Sequence, residues 1–276
     1  MFFVEILKAL LLGLVEGITE WLPISSTGHM LLLDGLIGLR VSEDFYGVFE
    51  VVIQLGALLA VVEKYWRRLL PVGGGLEERR NVLRLWGLIA IGVLPSAVVG
   101  FFLDDLIESV FFTPTVVATA LLVYGVIFLF IEKIRPRGAA RIREPSDMTL
   151  GSALTVGAFQ VLALIPGTSR SGATMIGGLL CGATPAAATE YSFLLAIPTM
   201  AGAGFLRTVK FFAEGGVLNY SEMLLLAIGT VMAFLVSRVI VGLLTELVAK
   251  KGFRLFGIYR IILGGILLLY FYIMRG

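Results

Sequence analysis

Glu16-Gly17-Ile18-Thr19-Glu20-Trp21-Leu22-Pro23-Ile24-Ser25-Ser26-Thr27-Gly28-His29 is the stretch that decides how this chain is read. It holds two carboxylates, a Ser-Ser-Thr run, a proline and the only histidine, and it breaks a segment that is apolar over 2–15 and again over 22–39. A helix over 2–15 rises only about 21 Å at 1.5 Å per residue, short of a hydrocarbon core about 30 Å thick. The spacing therefore predicts a helix–loop–helix hairpin that dips into a membrane and returns on the same side. Irregular backbone and ionisable groups are tolerated at that depth where protein surrounds them or they line a cavity, and they mark function there.

Composition agrees with a membrane. Of 276 residues, 58% are hydrophobic and 15% charged, with a mean hydropathy of +0.96. A soluble domain is nearer half apolar and about a quarter charged. The apolar segments run the whole length, which excludes a soluble enzyme on a single anchor. A net charge of +2, with the basic residues in short loops, excludes a nucleic-acid surface. Cys181 is the single cysteine and lies in an apolar Gly-rich run, so it reads as a small buried residue without disulfide or metal. The N-terminal segment has no basic n-region and no small-x-small cleavage site, and Glu5 and Lys8 interrupt it. It is expected to remain in the mature protein.

Six stretches are long enough to span: about 46–66, 85–103, 113–133, 187–206, 222–243 and 256–274. A second broken region, 150–165 and 171–183, flanks Pro166-Gly167-Thr168-Ser169-Arg170-Ser171-Gly172. Each half of the chain thus has a hairpin followed by three spans, with repeat 1 over about 1–147 and repeat 2 over about 148–276 of one integral membrane domain. Gly13, Glu16, Pro23 and Ser26 align weakly with Gly157, Gln160, Pro166 and Ser169, with one residue of slippage. Three spans are an odd number, so the second copy enters from the opposite side. The expected fold is an all-α polytopic membrane protein with an inverted-topology repeat. Residues 64–84, 133–143 and 250–254 carry fourteen Lys and Arg, whereas Arg40, Arg207, Lys210 and Arg275 lie at the opposite ends, where the 104–108 loop is acidic through Asp104, Asp105 and Glu108. This asymmetry puts the first group in the cytoplasm and the mouth of the first hairpin outside.

The chemistry follows from spacing. Glu16 and Glu20 at i, i+4 share a helix face, and two carboxylates there suit a divalent cation that also holds phosphate oxygens, or acid–base work. Their plain alternative is hydrogen bonding inside the bundle. Ser25, Ser26 and Thr27 offer hydroxyls, Gly28 permits close backbone approach, and His29 is three residues from Ser26, within reach as its base. An ordinary Ser/Thr helix cap beside a buried histidine is the bland reading. In the second loop Gly167, Thr168, Ser169, Ser171 and Thr174 surround Arg170, a permanently charged fork suited to phosphate oxygens or to an ion pair with Glu16 and Glu20. A helix opening at either loop also presents free N–H groups to an anion. Glu50, Gln54, Gln160 and Glu190 read as supporting, through interhelical hydrogen bonds.

Together, Val15 to His29 and Pro166 to Thr174 resemble the undecaprenyl-diphosphate phosphatase, or bacitracin-resistance, family. Phe49 to Gly56, Tyr191 to Pro198 and Phe256 to Gly264 reinforce the likeness, which covers essentially the whole chain. The resemblance implies hydrolysis of undecaprenyl diphosphate to undecaprenyl phosphate and inorganic phosphate, which recycles the carrier lipid for cell-wall synthesis. It implies a site open to the outer face of the bacterial plasma membrane. It links Glu16 and Glu20 to metal and diphosphate handling, with Mg2+ or Ca2+ as the cation, makes Ser26 the proposed nucleophile with His29 beside it, and makes Ser169, Arg170 and Thr174 phosphate-binding. Attack by Ser26 with His29 as base, and direct attack by water, both remain open. So does a lipid-phosphate flippase, which would use the same Arg170 pocket. The expected partners are a polyprenyl diphosphate and membrane lipid, with room for a homo-oligomer and no role for nucleic acid.

Overall fold

Six apolar helices long enough to cross a membrane, and two pairs of shorter ones, make up the computed structural model, which describes residues 2–71, 75–134 and 140–275. The side chains of Asp104, Asp105, Glu108, Met274 and Arg275 lie outside that description, as do Arg135 and Arg137 of the expected basic group. The membrane-length helices are α3 (Glu43–Leu69), α4 (Leu76–Phe111), α5 (Pro114–Ile134), α8 (Pro185–Ala213), α9 (Tyr220–Lys251) and α10 (Arg254–Arg275). Each contains one of the six apolar stretches of the sequence. The shorter pairs are α1 (Phe2–Thr19) with α2 (Ser26–Ile37), and α6 (Leu150–Val161) with α7 (Arg170–Leu180).

Local chemistry sets the ends. Ser42 caps α3, Thr184 caps α8 ahead of Pro185, and Asn219 with Glu222 forms a reciprocal box at the start of α9. Gly252, at φ +65°, ends α9 by taking the left-handed turn that other residues resist. α1 runs further than its apolar stretch, through Thr19, so Glu16 lies in its last turn and the Glu20 N–H still donates to the Glu16 carbonyl at 3.0 Å. The far ends of α1 and α2 are tied together. Lys8 donates to the Gly38 carbonyl at 2.8 Å, and the Arg40 N–H donates to Glu5 at 3.0 Å. Cys181, at the end of α7, likewise lies 4.0 Å from the Ser152 carbonyl at the start of α6.

Packing follows a paired scheme. α1 lies on α9 and α6 on α4, α3 packs on α8, and α5 packs on α10. The first two contacts use the same device. A Cβ on Gly13 would strike the Gly229 carbonyl, and one on Gly157 would strike the Gly92 carbonyl. Such backbone-to-backbone approach is how helices associate in lipid, where apolar burial gives little drive. α7 is the most enclosed element, with Ser171 through Leu179 all buried.

The two loops also match in register, and here the structure corrects the sequence alignment. Ser25 and Ser169 both sit at φ +72°, the only non-glycine residues with positive φ among those described. Each accepts from the N–H three residues on, Gly28 at 3.4 Å and Gly172 at 3.2 Å. Gly13/Gly157, Glu16/Gln160, Ser25/Ser169 and Gly28/Gly172 therefore correspond at one constant offset, without slippage. Ser26 corresponds to Arg170, not to Ser169. The capping serine fixes the register, and the prolines, one residue out of step, do not.

Candidate active site

The two loops meet on Glu20. Its Oε1 accepts from Arg170 Nη2 at 3.1 Å and its Oε2 accepts from Ser26 Oγ at 2.9 Å, so one carboxylate joins the first residues of α2 and α7. Glu20 and Arg170 are each roughly nine-tenths buried, and an ion pair at that depth offsets its desolvation only with the help of further hydrogen bonds. Arg170 gives its Nη1 to the Ser192 carbonyl at 3.0 Å and lays its guanidinium 5.6 Å from the centre of the Trp21 ring. Ser171 Oγ reaches the carbonyls of Glu20 and Leu22, both at 3.2 Å, and contacts Ser169 Oγ at 3.0 Å. Thr174 binds the Arg170 carbonyl at 2.8 Å and the Ser192 hydroxyl at 2.6 Å. Thr168, Ser171 and Thr174 are buried, whereas Thr27 and His29 are half-buried.

His29 is not where the sequence spacing suggested. Its Nδ1 lies 2.7 Å from the Ser25 carbonyl and its Nε2 lies 2.7 Å from the Tyr259 hydroxyl. A carbonyl only accepts, so Nδ1 carries a proton, and in that neutral tautomer Nε2 accepts a hydrogen bond from the Tyr259 hydroxyl. Both nitrogens are thus engaged away from Ser26. The reason is helical geometry: on α2 the histidine side chain reaches back to the carbonyl four residues earlier, and Glu20 is left as the acceptor for Ser26.

Of the supporting residues, Gln160 and Glu190 fall elsewhere, whereas Glu50 lies within electrostatic range of Glu16. Gln160, in the position of Glu16, donates to Ser96 Oγ at 2.6 Å and to Thr199 Oγ1 at 3.3 Å, in a neutral buried cluster. Glu190 pairs with Arg68 at 2.8 Å. Glu50 and Gln54 are half-buried on α3.

Arg260 is the group that the sequence reading passed over. It is fully buried, and its fork donates to the Pro23 carbonyl at 3.2 Å, to Gly167 at 2.7 Å and to Thr168 at 3.0 Å. It therefore pins one loop to the other, with its guanidinium over the rings of Tyr124 and Phe128. A lone arginine within an otherwise apolar span is a signal that sequence reading can use.

The family model for bacitracin resistance protein BacA matches residues 9–266. The chain belongs to the BacA family. It is 47% identical over 272 residues to an undecaprenyl-diphosphatase of Enterococcus faecalis, an alignment covering 98% of this chain and 99% of that protein. It is 46% identical to undecaprenyl-diphosphatase 1 of Clostridioides difficile, covering 98% and 97%, and 44% identical to an undecaprenyl-diphosphatase of Streptococcus equi subsp. zooepidemicus, covering 98% of each. The BacA-family match therefore includes both loops, Tyr259 and Arg260.

The polar atoms left over in this BacA-family site describe what it is built to receive. Glu16 Oε1, Trp21 Nε1 and Arg170 Nε are buried without a protein partner, and buried polar groups in native proteins are otherwise nearly all paired. Among the described residues no three His, Cys, Asp or Glu side chains converge on a point, so no all-protein metal cage is present. A Mg2+-like ion needs less, since one or two carboxylates with water and substrate phosphate oxygens suffice. Glu16, with its free oxygen, fits that part. Glu20 has both oxygens committed to Arg170 and Ser26. A cavity of about 530 Å³ between α5 and α10, bounded by Pro114, Gly265, Leu268 and Tyr272, carries no charged side chain and lies apart from these groups.

Proposed function

We propose that this chain is an intramembrane phosphatase that hydrolyses undecaprenyl diphosphate to undecaprenyl phosphate and inorganic phosphate, the activity named for its relatives. The observation that carries the reading is the Glu20 carboxylate held between Arg170 and Ser26, where two capped helix N-termini converge. Phosphoryl transfer needs positioning and charge stabilisation more than covalent help, and a guanidinium fork with helix N-termini supplies both.

A terminal phosphate entering the site competes with Glu20 for Arg170. Once the arginine turns to the phosphate, Glu20 is left to take the Ser26 proton toward which its Oε2 is already placed. Ser26 Oγ then bonds to the terminal phosphorus as the bridging P–O bond breaks. The prenyl phosphate leaves with the bond electrons, and Arg170 balances the charge on the phosphoryl oxygens. Glu20 passes the Ser26 proton to the departing prenyl phosphate; water then hydrolyses the phosphoserine, with Glu20 taking the water proton and returning it to Ser26 Oγ as its bond to phosphorus breaks and phosphate is released. His29 holds the Ser25 turn, and Arg260 holds both loops in register. A divalent cation, Mg2+ or Ca2+, would be held by Glu16 and would supply charge neutralisation for the diphosphate.

In this reading the α1–α2 and α6–α7 pairs are re-entrant hairpins of an inverted repeat, entering a bacterial plasma membrane from opposite faces, with the α1–α2 mouth outward. The matched capping serines and glycine contacts support the repeat, and the basic loops support the orientation. Recycling the carrier lipid in this way fits the bacitracin resistance named for the family. The test is phosphate release from a C55 diphosphate by the purified protein in detergent. Release that depends on Arg170 and Glu20 supports the reading; no release, or release unchanged in Arg170→Ala and Glu20→Ala, overturns it. A phosphate trapped on Ser26 after acid quench identifies the nucleophile.

A further inference from the structure

Between the last turn of α1 and the first turns of α10, beside α2, runs a groove of about 440 Å³. Ile18, Leu22 and Ile24 wall one side, and Leu255 and Phe256 the other. Its polar side chains are Thr19 and the pair His29 and Tyr259, the latter two hydrogen-bonded at 2.7 Å with rings 9° from parallel. The hydrolytic scheme gives Tyr259 no task.

Resting on the phosphatase reading, we infer that this groove seats the first isoprene units of the prenyl diphosphate, and that the His29–Tyr259 pair marks where tail gives way to phosphate. The groove adjoins the phosphate site, because both are built on the last turns of α1 and the loop after it: Val15, Thr19, Leu22 and Ile24 line the groove, and Glu16 and Glu20 of the same turns belong to the site. His29 reaches from the groove to the carbonyl of Ser25, the cap of α2, and the Leu22 carbonyl accepts from Ser171 of the second loop. The lining is mostly apolar, with Thr19, His29 and Tyr259 as its polar side chains, which suits a prenyl chain beside a polar head group. The volume lies in the range of roughly 300–1,000 Å³ common to ligand pockets. The groove also lies at the tip end of α1, far from the end tied at Glu5 and Arg40. Leu255 and Tyr259, at its rim, are 54% and 44% exposed on a membrane-length helix, so the opening faces the surface that lipid wets.

The physics limits what such a groove can do. Lipid tails are as apolar as its walls, so moving a prenyl chain into it gains little by the hydrophobic effect. What it supplies is shape and register: branched isoprene units held at one position set where the diphosphate falls relative to Ser26 and Arg170. Discrimination by such apolar fit is worth about 10- to 200-fold.

Photo-crosslinking on the unmodified protein tests this directly. The probe is a C15 prenyl diphosphate with a benzophenone near its first isoprene units. Adducts on residues 15–24 and 255–259 support the inference, and adducts confined to other helices overturn it. In parallel, Ile18→Trp and Leu255→Trp fill the groove from opposite walls. The expected result is a loss of about tenfold in kcat/KM for the prenyl diphosphate, carried mainly by KM; an unchanged KM in both well-folded variants sinks the idea. A wild-type protein that takes up the probe in the groove but releases no phosphate would keep the lipid site and discard the phosphatase reading.

Discussion

The loop after α1 and the loop after α6 reach the same backbone geometry, a left-handed serine capping the next helix, yet one carries Glu16, Glu20 and His29 where the other carries Gln160, Leu164 and Ala173. At the first helical position one has Ser26 and the other Arg170. The shared turn geometry brings two helix N-termini to one place, where the same charge on both would repel. The side chains differ instead: acids and a hydroxyl come from the first loop, and the cation comes from the second. At the position matching Glu16, Gln160 makes neutral packing against Ser96 and Thr199.

Removing the charge asymmetry gives the largest expected effect. Arg170→Ala and Ser26→Ala should each lower kcat/KM for a prenyl diphosphate about a thousandfold or more, with Arg170→Lys recovering only part. Phosphate release from gel-filtered protein measures this, and a loss below tenfold in either variant would detach that residue from the chemistry. Restoring symmetry the other way, Gln160→Glu places a carboxylate in a neutral cluster with no cation beside it. The expected cost is about 3 kcal/mol of stability, read as a lower melting midpoint in detergent, with no second phosphatase site gained. Gly13→Ala and Gly157→Ala probe the shared scaffold. Each forces a methyl into a facing carbonyl, so both should destabilise by about 1–3 kcal/mol; one tolerated and one not would show that the two contacts have diverged. The smallest effect belongs to Arg68→Ala, which removes a partly exposed pair with Glu190 and should shift stability by less than about 1 kcal/mol.

The sequence showed the spans plainly, because a run of about twenty apolar residues is a direct count of membrane thickness. It also showed that two broken regions carry the polar groups, since ionisable residues are costly among apolar ones. Partner choice was less visible. His29 at three residues from Ser26 suggested a base, but a helical side chain is also close to its own backbone, and the Ser25 carbonyl takes it. The Pro23 and Pro166 landmarks drew the alignment one residue off, because the element that sets the register is a backbone angle, which a sequence does not print. Tyr259 and Arg260 lie within the stretch Phe256 to Gly264, where spacing alone assigns them no task. Their partners lie about 90 to 240 positions away, and only packing brings them to the loops.

Arg260 has a consequence for the order of assembly. Every group that touches the proposed phosphate position is made by the time α8 has emerged, yet the fork that fastens the loop at Pro23 to the loop at Gly167 and Thr168 arrives with α10. The enzyme is therefore keyed from its last helix. A chain that stops before α10 would carry both motifs and lack the fork that fastens them to each other.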